Sequence, residues 1–242
     1  HVVISGGVKG IGAATVEIFA REGAKISVLD IDAKNATDQV DYYVCDVSKS
    51  AEVANAINQA ISKNGEIAVL VNNAGINRYA TITETSEELW DETMSVNLKS
   101  AFLLSKAAIP SMQKSGKGVI VNVSSVQAFI SQSQVAAYTT SKTAMLGLTR
   151  SIAVDYGPNI RCVAVCPGTI DSPMLQSAIQ ESADPQAVLE ECENMHLVKK
   201  VGDPKEVGEF IAYLASDKAS FMTGQAFRID GGLGVSIGGS KQ

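Results

Sequence analysis

Short apolar runs alternate with longer stretches of helical periodicity along the chain. Runs with the length and composition of buried strands lie at residues 2–4, 25–29, 42–45, 68–71, 118–123, 161–166 and 226–229. Apolar positions three and four residues apart predict helices over residues 11–22, 50–63, 96–112, 136–156 and 204–215, and another helix begins at Ser86. Strands and helices that alternate in this way predict a parallel sheet covered on both faces.

The 242 residues show no repeat and no domain boundary, so we predict a single α/β domain over residues 1–242. Only about ten residues, among them Asp32, Lys34, Asn35 and Asp38, link the second strand to the third, which predicts no crossover helix there. Residues 174–200 form a long insertion between core elements. It is either a substrate lid or a surface helix pair, and the sequence does not choose between them.

Composition and charge exclude several classes of function. No apolar run approaches the ~20 residues of a membrane span, and we expect no such segment. A net charge of −6 and a pI of about 5.0 argue against a nucleic-acid partner. The four cysteines and two histidines lack metal-ligand spacing, which predicts no metal site and reduced thiols in a cytoplasmic protein. His1 directly precedes a strand, so we expect residues upstream of it.

A glycine-rich turn joins the first strand to the first helix. It reads Ser5-Gly6-Gly7-Val8-Lys9-Gly10-Ile11-Gly12. Glycines at this place let the backbone approach a pyrophosphate, which then rests on the positive end of the helix. A plain strand-to-helix turn has a similar pattern, but the position favours a dinucleotide site that includes Gly6, Lys9, Gly10, Ile11 and Gly12.

The end of the second strand bears on the type of dinucleotide. Asp30 follows the glycines by about twenty residues, where a carboxylate accepts the adenosine ribose hydroxyls and repels a 2′-phosphate. Lys9 favours NADP instead, because a cation in the glycine turn could reach that phosphate. A strand-end Asp is also a common turn cap. We therefore predict NAD and keep NADP open.

Two further strand ends suit a bound cofactor. Asp46 and Val47 close the third strand and would meet the adenine edge. Asn73, Ala74 and Gly75 follow the fourth strand. Small and amide side chains at the carboxyl end of a strand let a cofactor lie close to the backbone.

Tyr138 and Lys142 are four residues apart on a predicted helix and therefore share one face. A free phenol titrates near pH ~10, and a neighbouring ammonium lowers that pKa. Lowering it by about three units needs roughly 4 kcal/mol, which Lys142 and a cationic nicotinamide could supply together. For the pair in isolation, a half-buried tyrosine beside an extended lysine explains the spacing at least as well. The surrounding motifs are what favour acid–base chemistry.

Two other polar positions accompany this pair. Asn97 lies inside a helical stretch, where asparagine is unfavourable. It either bonds to nearby backbone or marks a kink that offers a carbonyl or a water to the site. Ser124 and Ser125 end the strand at residues 118–123, and Ser125 precedes Tyr138 by thirteen residues.

In this order and at this spacing, the motifs resemble those of the short-chain dehydrogenase/reductase family over essentially the whole chain. They are Ser5 to Gly12, Asp46-Val47, Asn72 to Gly75, Asn97, Ser125, Tyr138 with Lys142, and Pro167-Gly168. The resemblance implies one Rossmann-type, doubly wound α/β domain with a seven-stranded parallel sheet and helices on both faces. Ser5 stands where the family usually has Thr, a change that keeps the hydroxyl.

The resemblance also implies residue roles. Tyr138 would be the catalytic acid/base, Lys142 would lower its pKa and hold the nicotinamide ribose, and Ser125, rather than Ser124, would fix the substrate oxygen. Asn97 would position a water near Lys142, and Pro167, Ile170 and Ser172 would hold the nicotinamide carboxamide. The family is commonly tetrameric, so by analogy we expect a homotetramer with the tail from Gly231 to Gln242 against a neighbour.

Residues 124–128, 161–167 and 169–173 are similar to those of the archaeal aldohexose dehydrogenases within this family. This similarity implies oxidation of the anomeric carbon of an aldose to an aldonolactone. A sugar needs several hydrogen-bonding side chains around it. Gln127, Asn77 and Asp171 are candidates beside Ser125 and Tyr138, although ordinary loop polarity explains those three equally well.

Two other functions stay open. The first is an NADPH-dependent 3-oxoacyl carrier-protein reductase or a broad ketone reductase, which Asp30 and the acidic charge disfavour. The second is a non-catalytic dinucleotide-binding protein. The presence of Asn97, Ser125, Tyr138 and Lys142 together argues against it.

Overall fold

The computed structural model describes residues 1–32 and 37–235, and in these ranges seven strands form one parallel sheet. The strands are β1 (Val2–Ser5), β2 (Ile26–Asp30), β3 (Val40–Val44), β4 (Val69–Asn72), β5 (Gly118–Val123), β6 (Ile160–Pro167) and β7 (Ala226–Ile229). Their order is β3-β2-β1-β4-β5-β6-β7. The winding direction reverses between β1 and β4, which is where ligands bind in doubly wound sheets.

Helices connect the strands and cover the sheet. They are α1 (Gly10–Arg21), α2 (Ser50–Asn64), α3 (Glu87–Met94), α4 (Ser100–Ser115), α5 (Ala136–Tyr156), α6 (Pro173–Gln180), α7 (Pro185–Met195) and α8 (Pro204–Ala215). A π-helical turn, Ser95–Lys99, joins α3 to α4. Short 3-10 turns span Val126–Ala128 and Asp217–Ala219.

Apolar side chains of the strands fill a core on each face of the sheet. Val2 and Ile4 pack with residues of α1 and α8, whereas Val3 packs with residues of α2 and α4. Consecutive side chains of a strand point to opposite faces, so a strand covered on both sides must be apolar throughout. The predicted fold class is therefore confirmed.

The third strand is longer than predicted. It begins at Val40, two residues before the apolar run, because the buried carboxylate of Asp41 pairs with Lys63 and accepts a 2.9 Å hydrogen bond from Asn64. The described part of the preceding link, residues 31–32 and 37–39, is not helical. The rest of the predicted helix-free link, residues 33–36 with Lys34 and Asn35, lies outside the described residues.

The insertion at residues 174–200 contains most of α6 and all of α7, which pack on each other. Every residue of α6 is at least partly exposed, and Cys192 is the buried residue of α7. Gating by this pair stays a prediction. Most of the tail predicted to pack on a neighbouring subunit, residues 236–242, lies outside the described residues. That packing stays a prediction. Among the residues that are described, no helix is long and apolar enough to span a membrane.

Candidate active site

The predicted site residues converge at the carboxyl edge of the sheet. The glycine turn follows β1, Asn73 follows β4, Ser125 follows β5, and Pro167 ends β6. Parallel neighbouring strands bring all four of these ends to one edge. Residues far apart in sequence thereby face one crevice.

Ser5 and Asn73 tie the glycine turn to the end of β4. The Ser5 hydroxyl oxygen accepts hydrogen bonds from the Asn73 amide at 3.0 Å and the Ala74 amide at 3.1 Å. The Asn73 side chain donates in return to the Gly6 carbonyl at 2.8 Å. Ser5 therefore supplies the hydroxyl that its position requires, and both sides of the crevice are fixed relative to each other.

The glycines leave a bare backbone cradle in front of α1. Gly6 has a φ of 66°, in the left-handed region that favours glycine. A Cβ on Gly12 would overlap the Gly6 carbonyl oxygen and stand 2.6 Å from Asn73 Nδ2. Gly10 begins the helix and Ile11 is partly buried in its first turn. A phosphate group fits such an open helix N-terminus, since its unpaired N–H groups point outward.

Asp30 and Lys9 occupy different surroundings. Asp30 is buried, and its carboxylate accepts hydrogen bonds of 3.1 Å from the amides of Val8 and Asp32. Lys9 Nζ lies 3.7 Å from Asp32 Oδ2, and both of these side chains are exposed. The acidic group is thus held next to the glycine turn, while the nearby cation is directed towards Asp32.

Asp46 has a clear local role. Its Oδ1 accepts from the Ser48 hydroxyl at 2.7 Å, and its Oδ2 lies 3.2 Å from Lys49 Nζ. The bond from Ser48 holds the pKa of this carboxyl below its usual range. The carboxylate therefore caps the turn before α2, and Val47 packs into the core. An adenine contact by either residue stays a prediction.

Tyr138, Lys142 and Ser125 come together as predicted. Lys142 is 3% exposed, and its Nζ donates to the Val123 carbonyl at 2.9 Å and lies 5.7 Å from the centre of the Tyr138 ring. The Ser125 hydroxyl is within hydrogen-bonding reach of the Tyr138 phenol. By contrast, the Ser124 hydroxyl donates to the Lys142 carbonyl at 2.8 Å, a bond that holds α5 to β5.

The protein alone raises the pKa of Tyr138, and the lowering by Lys142 together with a cationic nicotinamide stays a prediction. Burial is the largest cause because it disfavours the phenolate, and the bond to Ser125 opposes it. Burial also lowers the pKa of Lys142 to about 8. The Lys142 ammonium is turned to the Val123 carbonyl, and its charge does not overcome the desolvation of the phenolate. The protein by itself therefore presents Tyr138 as a protonated acid at neutral pH.

Asn97 explains the break in its helix. It lies in the π-helical turn, fully buried, where its Oδ1 accepts from the Ile76 amide at 2.8 Å and its Nδ2 donates to the Ile76 carbonyl at 2.9 Å. Each of the two predicted explanations holds in part. The Asn97 side chain is bonded to backbone, and the helix departs from α-helical geometry at this turn. A Cβ on Gly75 would stand 3.4 Å from both Asn97 Oδ1 and Lys142 Nζ. The water position stays a prediction.

The segment at residues 166–173 runs from the Tyr138 pair to the glycine turn. Its first residue, Cys166, lies close enough to affect the pKa of both Tyr138 and Lys142. At its other end, a Cβ on Gly10 would stand 3.5 Å from Ser172 Cβ. Pro167 ends β6 and Ile170 bridges to Gly202 between these points. The three residues predicted to hold the carboxamide thus belong to the segment that connects the two parts of the site, and their contact with the carboxamide stays a prediction.

Two of the three predicted sugar contacts, Gln127 and Asp171, are hydrogen-bonded to neighbouring side chains. Gln127 uses its amide within the protein, donating to Gln132 at 3.0 Å and accepting from Thr139 at 3.4 Å. Asp171 accepts a 2.7 Å bond from Gln176 and lines a cavity of about 480 Å³ that also includes Gly10. Both are therefore engaged with neighbouring side chains.

Asn77 has an unexpected neighbour, Tyr79. Asn77 lies close enough to Tyr79 to oppose the rise in the pKa of that phenol, and Tyr79 lies close enough to raise the pKa of Tyr138. Asn77 Oδ1 is buried and has no hydrogen-bond partner among the described residues. Tyr79 is not among the predicted site residues, because its only signal in the sequence is an aromatic side chain two residues after Asn77 in a polar loop.

The low pKa of Lys142 gives a pH-dependent stability. Between pH of about 8 and the ordinary value of 10.5, the unfolded chain binds a proton that the folded chain has released, so stability rises with pH in this window. We therefore compare the free energies of unfolding of the wild type and of Lys142→Met, measured by urea unfolding. The difference, wild type minus variant, should increase by about 2 kcal/mol between pH ~7 and ~10. A difference that stays flat or falls with pH would contradict the burial of this ammonium.

Comparison with known proteins places the chain in a family. The family model described as enoyl-(acyl carrier protein) reductase matches residues 6–234. An uncharacterized oxidoreductase of Thermotoga maritima is 41% identical, covering 96% of each chain. The 3-oxoacyl-[acyl-carrier-protein] reductase FabG of the same organism is 37% identical with the same coverage.

Solved structures agree with this assignment. The ligand-free aldohexose dehydrogenase of Thermoplasma acidophilum superposes with a TM-score of 0.95 at 41% identity, covering 100% of this chain and 96% of that one. Levodione reductase superposes with a TM-score of 0.93 at 31% identity, covering 98% of each chain. The chain is therefore an oxidoreductase that uses a nicotinamide dinucleotide, and it belongs to the short-chain dehydrogenase/reductase family.

Proposed function

We propose that this protein is an NAD-dependent aldose 1-dehydrogenase, which oxidises the C1 hydroxyl of an aldose to the aldonolactone. The observation that carries the chemistry is the Tyr138 phenol within reach of the Ser125 hydroxyl, with the Lys142 ammonium behind its ring. The substrate class is supported by the 41% identity over the full chain to an aldohexose dehydrogenase. Failure of the substrate class would leave the chemistry standing.

The cofactor fits a cradle made of backbone. Gly6, Gly10 and Gly12 expose main-chain groups at the start of α1, where the pyrophosphate would bind. The buried Asp30 carboxylate supports NAD over NADP, because Lys9 is paired with Asp32. When bound, the oxidised nicotinamide supplies a hydride acceptor and a positive charge.

Tyr138 takes the proton of the substrate hydroxyl in this proposal. It can do so only as the phenolate, and the protein alone raises the pKa of this phenol. Lys142 provides part of the opposing charge, because with a pKa of about 8 it is mostly an ammonium at neutral pH. Ser125 would hold the substrate oxygen opposite the phenol, and Asn97 would keep the Ile76 backbone in place beside it.

Asn77 and Tyr79 support a substrate with several hydroxyls. Asn77 Oδ1 is an acceptor without a partner among the described residues, and such a buried oxygen is costly unless a ligand donor reaches it. Tyr79 lies close to both this amide and Tyr138. An aldose bound at Tyr138 would satisfy the Asn77 oxygen with a second hydroxyl once binding exposes this oxygen, which is buried in the protein alone. Gln127 would contribute from the opposite loop by its remaining N–H.

A 3-oxoacyl carrier-protein or ketone reductase is the alternative, supported by the 37% identity to FabG. The protonated Tyr138 of the protein alone suits reduction, in which the phenol donates a proton to a carbonyl. The net charge of −6 disfavours docking of an acidic carrier protein. The non-catalytic alternative is not supported by any of the relatives named above. The homotetramer and the cytoplasmic location stay predictions.

A substrate and cofactor panel tests the proposed function. We expect reduced nicotinamide to form with NAD and aldoses, at a kcat/KM at least about tenfold above that with NADP or with simple secondary alcohols. Absorbance of reduced nicotinamide is the measurement. Turnover of acyl ketones with NADPH alone would replace the proposal by the reductase. Tight NAD binding with no turnover of any substrate would point to a non-catalytic protein.

Replacing Tyr138 by Phe tests the acid–base role. We expect kcat to fall by about three orders of magnitude or more, while the affinity for NADH stays within about twofold, because the variant loses only the hydroxyl. Tyr213→Phe is the matched control, since this tyrosine lies on α8 and is 40% exposed. Equal losses of rate and cofactor affinity in Tyr138→Phe would show that the tyrosine is structural.

A further inference from the structure

His196 is a buried imidazole at the end of α7, and the chemistry described above does not use it. It is 2% exposed and is one of the two histidines of the chain. Its Nδ1 lies 2.6 Å from the Cys192 carbonyl oxygen, and its Nε2 accepts a 3.2 Å hydrogen bond from the Thr169 amide. A carbonyl requires a donor and an amide requires an acceptor, so the ring is the neutral Nδ1–H tautomer with both nitrogens satisfied.

The bond to Thr169 falls in the middle of the segment at residues 166–173. This segment runs from Cys166 beside the Tyr138 pair to Ser172 beside Gly10. A dinucleotide with its phosphates at Gly10 and its ring at Tyr138 must extend along it. The Thr169 carbonyl is held by the Gly202 amide at 2.9 Å, and the Thr169 amide is held by His196.

The imidazole is wedged between two strand ends. A Cβ on Gly168 would stand 2.8 Å from His196 Nε2, and a Cβ on Gly231 would stand 3.2 Å from its Cδ2. The loops after β6 and β7 thus leave room for the ring only because both positions are glycine. The Cys192 carbonyl connects the same ring to α7, whose partner α6 starts at the end of the segment.

We propose that His196 is a positioning residue, which fixes the Thr169 amide and so sets the height of the segment at residues 166–173 under the nicotinamide end of the cofactor. It does this from the end of α7, so it links the α6–α7 pair to the cofactor segment. The inference rests on the proposed nicotinamide chemistry, but it does not depend on the identity of the alcohol.

Two substitutions test the two hydrogen bonds of the ring, to Cys192 and to Thr169, independently of each other. Asn places an amide nitrogen near the position of Nδ1, so His196→Asn keeps the bond to Cys192 and loses the acceptor for Thr169. Gln reaches the position of Nε2, so His196→Gln restores an oxygen acceptor for the Thr169 amide. His196→Met, which is close to the imidazole in size and has no oxygen acceptor, is the control for space filling, because a ring that only fills space would be replaced equally well by Met and by Gln.

The readout is binding of NADH against binding of ADP-ribose, which lacks the nicotinamide. For His196→Asn we expect the Kd of NADH to rise by about five- to tenfold with the Kd of ADP-ribose unchanged, as for one lost hydrogen bond. For His196→Gln we expect both values within about twofold of the wild type. Fluorescence titration measures NADH, calorimetry measures ADP-ribose, and thermal unfolding verifies the fold of each variant.

Three results would overturn the proposal. They are wild-type NADH affinity in His196→Asn, equal weakening of both ligands, and a His196→Gln variant that binds NADH no better than His196→Asn or His196→Met. Should His196→Asn fail to fold, His196→Met serves as the second variant, because it keeps the size of the side chain and removes the acceptor for the Thr169 amide. Failure of the wild type to oxidise aldoses leaves this test intact, whereas a wild type that binds no NADH refutes the proposed function itself.

Discussion

Burial of an ammonium beside a phenol is the constraint on which the site depends. Lys142 is almost inaccessible to water, and its Nζ is stabilised by one carbonyl, that of Val123 at the end of β5. Desolvation lowers the pKa of Lys142 and raises that of Tyr138, which favours the neutral form of both groups. The surrounding architecture, from the Ser124 bond that ties α5 to β5 to the π-helical turn at Asn97, holds this costly pair in place.

This electrostatic state determines which form of Tyr138 the protein presents in the absence of the cofactor. With its phenol protonated, Tyr138 is ready to donate a proton, which is the step of carbonyl reduction. Alcohol oxidation needs the phenolate, so Tyr138 requires positive charge beyond that of Lys142. In the proposed oxidation, Tyr138 would therefore act as a base only with a cation in the crevice, and the proposed role of His196 would set how close to Tyr138 that cation lies.

Periodicity predicted the fold well because the central strands β1, β2 and β4 are buried on both faces and most long helices have one apolar side. The pattern failed at β3, where Asp41 is acidic but neutralised by Lys63, a partner distant in sequence. Spacing also brought Tyr138 and Lys142 together correctly, but it did not show that the protein alone raises the pKa of the phenol. Four-residue spacing places the two groups on one face, but desolvation depends on the tertiary environment.

The most direct measurement is titration of the Tyr138 phenol with and without NAD. Ultraviolet difference absorbance of the wild type against Tyr138→Phe isolates this one group. The account predicts a pKa above the ordinary value of 10.0 in the protein alone and a value below it in the NAD complex. A pKa already lowered in the protein alone, or one that NAD leaves raised, would contradict it.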